Sequence, residues 1–152
     1  MKKYLFTEDN RVAQVEFLLN RLSESKKQNP KYENLNSKLT GHVDGVSYLV
    51  PMFEEEEDFV DLLENSKFYE LEDFNLEQIS GAISQCHDNS MIYVLEDPEN
   101  RKVMTGYALS EDHLWRQHSW VQEGNTIIET TEPRLAYFGY EATRMLEEFQ
   151  RY

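Results

Sequence analysis

A chain of 152 residues with 39% hydrophobic and 12% aromatic content carries enough apolar surface to bury a core, which excludes general disorder. Its net charge of −14, from 29 acidic against 15 basic side chains, repels phosphate backbones, so nucleic-acid binding is not expected, while a basic protein partner is compatible. A single cysteine excludes an internal disulfide and any multi-thiolate metal site, and no apolar run approaches the ~20 residues that cross a bilayer, so no membrane partner is expected.

The charged start Met1-Lys2-Lys3 precedes an apolar stretch too short for a signal peptide, which points to a cytoplasmic protein with a reduced thiol. Lys3 to Thr7 reads as a short strand or arm. Thr7 then caps a helix, with Glu8 and Asp9 where the helix dipole favours them. Val12, Val15, Phe17, Leu18, Leu19 and Leu22 carry the apolar stripe of that helix to about Ser25. Lys26 to Thr40 is polar and broken by Asn29-Pro30, and reads as a loop. Gly41 to Gly45 is a turn, and Val46 to Phe53 a strand interrupted by Pro51.

The acidic run Glu54 to Asp58 leads into a helical pattern at Phe59, Val60, Leu62 and Leu63. Consecutive carboxylates on a helix point in different directions, so the run is a solvated face rather than an ion site. Phe68 to Phe74 is a short aromatic segment. Asn75 caps a short helix through Ile79 that ends at Ser80-Gly81. A further helix begins near Gln85 or Cys86, since Cys86, Ser90 and Val94 recur at helical steps.

From there the pattern turns to β. Strands are expected at Val103 to Leu109, His118 to Gln122, Thr126 to Thr130 and Tyr137 to Tyr140, with a tight turn at Glu123-Gly124-Asn125 and a closing helix from Glu141. The expectation is one α+β domain over residues 1–152. Helices of the N-terminal half pack on an antiparallel sheet from the C-terminal half, and the cysteine-bearing helix precedes that sheet.

Chemistry concentrates in three residues. Cys86 opens its helix, where the aligned peptide dipoles favour a thiolate. His118 lies on a strand and supplies a base. Glu129 lies on the next strand and supplies a carboxylate to hold the imidazole tautomer. With a turn centred near Gly124, His118 falls opposite Thr130, and a bulge or a longer turn is needed to bring Glu129 across. The backbone N–H of Cys86 and the side chain of Gln85 or Gln78 are candidate oxyanion donors. His87 competes as a base, but adjacent helical residues diverge by about 100°. His42 and His113 lie in loops. A zinc site from Cys86, His87, His113 and His118 lacks the paired spacing of structural sites, so no metal or other cofactor is expected.

The stretch Cys86-His87-Asp88-Asn89-Ser90, then Thr105-Gly106-Tyr107-Ala108, His118-Ser119-Trp120-Val121, Gly124, Ile127-Ile128-Glu129-Thr130-Thr131 and Tyr137-Phe138-Gly139 resembles the papain-like and transglutaminase-like cysteine-hydrolase superfamily. It is most similar to small bacterial and phage members of unassigned role, over about residues 78 to 140. The resemblance implies Cys86 as nucleophile, His118 as base and Glu129 as orienting acid, where the family usually has Asp or Asn. Trp120 and Tyr137 are expected to line a substrate groove. The function expected is a cysteine hydrolase or acyl transferase acting on a peptide or small amide. The alternative is a non-catalytic acidic binding or regulatory protein, of phage or immunity type, on the same fold.

Overall fold

The computed structural model describes residues 12–43, 47–50, 59–79, 85–132 and 134–150. The elements run α1 (Val12–Gln28), α2 (Lys31–Thr40), β1 (Tyr48–Leu49), a π-helical turn (Asp61–Asn65), β2 (Lys67–Glu70), a 3-10 turn (Leu71–Asp73), β3 (Asn75–Gln78), α3 (Cys86–Glu96), β4 (Lys102–Leu109), β5 (Leu114–Glu123), β6 (Thr126–Glu129), β7 (Ala136–Glu141) and α4 (Thr143–Gln150). The strand expected at Lys3 to Thr7, the Thr7 cap and the acidic run Glu54 to Asp58 lie outside the described residues.

The protein is α+β, with a single mixed sheet in the order β2-β7-β4-β5-β6-β3, to which β1 adds beside β5. Two pairings are parallel, β1 with β5 and β3 with β6. This corrects the expected all-antiparallel sheet that follows the helices. Three strands precede α3, and they join the sheet at its margins. β1 has two residues and β3 is exposed at all four, so neither carries the apolar alternation that marks a strand in sequence.

Leu76 to Gln78, expected as helix, are strand because Leu76 pairs with Ile127 and Gln78 with Glu129. Lys31 to Thr40, expected as loop, is helix. Pro30 stands just before its first turn, where a missing N–H costs nothing, and Tyr32, Leu35 and Leu39 bury one face of it. Leu19, expected in the apolar stripe of α1, is exposed, and Leu22 is buried.

Topology forces the sheet to curl. β2 and β3 stand at opposite ends of the strand order, yet only residues 71–74 join them. Five extended residue steps reach about 17 Å. Six strands in a flat sheet span about 24 Å. The sheet therefore bends on itself, and Leu71 and Phe74 of the link pack with Met104, Ala108, Trp120, Ile127 and Tyr137 on its concave face. The helices cover the other face. Leu22, Tyr32, Leu35 and Leu39 pack on Tyr107, Leu109, Trp115 and Phe138, while Met91 and Val94 of α3 pack on Val103, Val121 and Ile128.

Two glycines make the tight centre. Gly106 and Gly139 face each other across β4 and β7. A Cβ on Gly139 would lie 2.2 Å from the Thr105 carbonyl oxygen and 2.7 Å from the Trp120 ring. The absent side chains let the two strands close up and let the Trp120 indole lie over Gly139.

Candidate active site

β5 is paired with β4 along Trp115 to Gln122, but its other edge is shared. β1 runs beside Leu114 and Trp115, and β6 beside Val121 to Glu123. Neither reaches the residues between. The first turn of α3 docks in that notch, which brings the thiol of Cys86 within reach of the Ser119 N–H. Alternation along β5 puts Ser119 on the helix-covered face and His118 on the concave one. The notch thus brings a thiol on a surface helix within electrostatic reach of an imidazole rooted inside the curled sheet.

The β5–β6 hairpin has a two-residue turn, with Glu123 paired to Thr126 and Gly124 at φ +57°. Glycine at the first turn position fits a type II′ hairpin. Val121 therefore pairs with Ile128, and the same register carries Glu129 opposite Trp120. Glu129 shares the face of His118 on the diagonal, so the bulge expected from sequence is not needed.

His118 Nε2 donates to Glu129, at 2.8 Å to Oε1 and 3.0 Å to Oε2. That leaves Nδ1 as the ring nitrogen for the thiol. The carboxylate also accepts the Tyr137 hydroxyl at 2.8 Å, and the Thr131 N–H and hydroxyl at 3.2 Å each. His118 is 1% exposed and Glu129 fully buried, so this charge is held without water. Cys86 is half-buried.

The electrostatics follow from that geometry. Burial alone would push the Cys86 thiol up, but the hydrogen bond and positive charge of His118, with the Ser119 N–H, outweigh it and hold the thiol below its ordinary value. Burial would lower His118, yet its bonds to Cys86 and Glu129 and their charges raise it. Burial would raise Glu129, and His118, Tyr137 and Thr131 together lower it. All three shifts favour a thiolate–imidazolium pair backed by a carboxylate.

The remaining candidates fall elsewhere. Gln78 donates its amide to the Thr131 carbonyl at 2.8 Å, and so braces the Glu129 strand rather than facing the sulfur. Gln85 is exposed at the start of α3, and its carbonyl accepts the Asn89 N–H. Trp120 and Tyr137, expected in a substrate groove, are fully buried inside the sheet, Tyr137 as a donor to Glu129. His87 turns away from the sulfur to Ser119 Oγ. His113 occupies the β4–β5 turn at φ 71°, and His42 is buried against Glu70 and stacked on Phe68. Among the described residues, no three His, Cys, Asp or Glu side chains converge as a metal site. No described helix is long and apolar enough to cross a membrane.

Sequence reasoning missed the roles of Tyr137, Thr131 and the Ser119 N–H. Alternation groups His118 with Trp120 and Ile127 with Glu129, but no local signal places β7 close enough for Tyr137 to join them. Comparison with known family models, with curated proteins and with solved structures finds no match to this chain.

Proposed function

We propose that this protein is a cysteine-dependent hydrolase or acyl transferase acting on an amide or peptide bond, in the manner of the papain-like and transglutaminase-like enzymes. The observation that carries the reading is the buried His118–Glu129 pair, joined at 2.8 Å, beside a thiol that His118 holds below its ordinary value.

In this reading the Cys86 thiolate attacks the carbonyl carbon, and the carbonyl electrons move to oxygen. The amides of Cys86 to Asp88 precede the first backbone bond of α3, from Asn89 to Gln85, and meet the developing oxyanion. Collapse of the adduct breaks the carbon–nitrogen bond, and the His118 imidazolium gives its Nδ1 proton to the leaving amine. A thioester remains on Cys86. His118 then takes a proton from water, whose oxygen attacks the thioester, and the thiolate leaves as the acid product forms. An amine in place of water gives acyl transfer. Glu129 keeps the Nε2 hydrogen in place throughout.

The test is alkylation of Cys86 by iodoacetamide across pH, comparing wild type with His118→Ala. The thiol of the wild type titrates below the ~8.5 of free cysteine and moves up when His118 is removed. A slow, ordinary titration indifferent to His118 refutes the pair and favours the acidic binding protein.

A further inference from the structure

His87 follows the nucleophile but faces away from it, and the chemistry above leaves it unused. Its Nδ1 meets Ser119 Oγ, and Ser119 Oγ is hydrogen-bonded to Thr105 Oγ1 at 2.9 Å. Serine has one hydroxyl hydrogen. With that hydrogen given to Thr105, Ser119 accepts from His87 Nδ1; with Thr105 as the donor, Ser119 gives its hydrogen to Nδ1, and either arrangement ties His87 to β5 and β4.

Ser119 therefore holds two consecutive residues of α3. Its hydroxyl, on the helix-covered face, holds His87, and its backbone N–H lies beside Cys86 and helps to lower the thiol. Side chains of adjacent helical residues diverge by about 100°. Two contacts that far apart around the axis fix the rotation of the first turn as well as its distance from β5. Met91 and Val94 set which face of the helix meets the sheet, and the pair of contacts at Ser119 sets the angle of its first turn.

We infer that His87 is a positioning residue of the active site: through Ser119 and Thr105 it locks the first turn of α3 onto β5 and β4, and so holds the thiolate against His118 and the Ser119 N–H. The inference rests on the reading of Cys86 as nucleophile. Burial and the positive charge of His118 hold His87 below its ordinary value, against the weaker opposing pull of Asp88. It thus holds Ser119 as a neutral ring, without adding a second cation beside the imidazolium. The far end of α3 is tied separately. Arg101 donates to the Tyr93 carbonyl at 2.8 Å and to Glu123 at 3.1 Å. That clamp limits the swing of the helix but lies too far from Cys86 to set the angle of the thiol.

The experiment is iodoacetamide alkylation across pH on four variants, each checked for folding by urea denaturation. His87→Leu keeps bulk and loses the ring nitrogen. Ser119→Ala loses the hydroxyl but keeps the backbone N–H. His87→Asn keeps a hydrogen-bonding group near the Nδ1 position, and His118→Ala is the comparator. His87→Leu and Ser119→Ala should raise the thiol titration by about one unit, which is about tenfold slower alkylation near pH 6. His87→Asn should stay within about threefold of wild type, half a unit. A folded His87→Leu with the wild-type profile, while His118→Ala is shifted, overturns the inference and leaves the Cys86–His118 pair standing. So does His87→Asn as impaired as His87→Leu. If His87→Leu does not fold, Ser119→Ala decides in its place. A profile unmoved by His118→Ala refutes the pair itself, and the inference with it.

Discussion

Glu129→Gln is the substitution that separates a charge-backed catalytic pair from a merely packed histidine. The side chain keeps its size, but one accepting oxygen becomes a donating NH2. An NH2 at the Oε1 position meets His118 Nε2–H, and one at the Oε2 position meets the Thr131 N–H, neither of which can accept, while the Tyr137 and Thr131 hydroxyls can turn. One or more of these hydrogens must then oppose another. The imidazolium also loses its counter-charge where neither side chain meets water. Breaking a buried ion pair from one side costs roughly 3–5 kcal/mol. At roughly 2–4 °C per kcal/mol for a chain of this size, Tm falls by about 6–20 °C.

The thiol responds through two opposing effects. Removing the Glu129 charge relieves a repulsion that raises Cys86, which alone would lower the thiol further. The bond and charge of His118 act more strongly on Cys86 than Glu129 does. Once the imidazole falls back to neutral, the larger effect is lost and the thiol rises. Alkylation near pH 6 therefore slows by about tenfold or more, one unit of thiol pKa being about tenfold in thiolate. Calorimetry and alkylation across pH on the one variant measure both quantities. A Glu129→Gln protein with unchanged Tm, or with a thiol that titrates lower than wild type, refutes the reasoning.

The same pair sets a pH window for stability. Glu129 is lowered, so its contribution is present above ~4.3 and is lost as pH falls through its folded value; His118 is raised, so its contribution is full below ~6.5 and is lost as pH rises through its folded value. The stability advantage of wild type over Glu129→Gln, read from urea midpoints, should peak between about pH 4.5 and 6.5. An advantage that climbs steadily to about pH 9 contradicts this. Gly139→Ala tests the packing beneath Trp120. Its Cβ would meet the Thr105 carbonyl at 2.2 Å, so β4 and β7 must part, at a cost above the roughly 1–3 kcal/mol typical of overpacking. A wild-type urea midpoint would show that the close approach is not needed.

The strands β4, β6 and β7, and β5 from His118 onward, were legible because each has apolar or β-branched residues at strand spacing between clear turns, and Gly124-Asn125 marks the hairpin, whereas Leu114 to Gln117 of β5 were not read as strand. α3 was legible from Cys86, Ser90 and Val94 at four-residue steps. The polar helix α2 was not, because three buried residues among charges look like a loop until a sheet is present to receive them. β3 looked helical because four exposed residues carry no period, and only the parallel pairing with β6 makes them a strand.

By itself the sequence determined the inventory: an acidic chain with one thiol at a helix start, an imidazole and a carboxylate on neighbouring strands, and turn residues that join them. Those are properties of local spacing, and local spacing survives without a partner. The tertiary structure decided what the groups do to one another. The short link between β2 and β3 curls the sheet, the curl buries His118, Glu129 and Tyr137 together, and the notch between β1 and β6 admits Cys86 to them. Charges shift one another strongly only when close and shielded from water, so the character of the thiol belongs to the assembled site and to no segment of the chain.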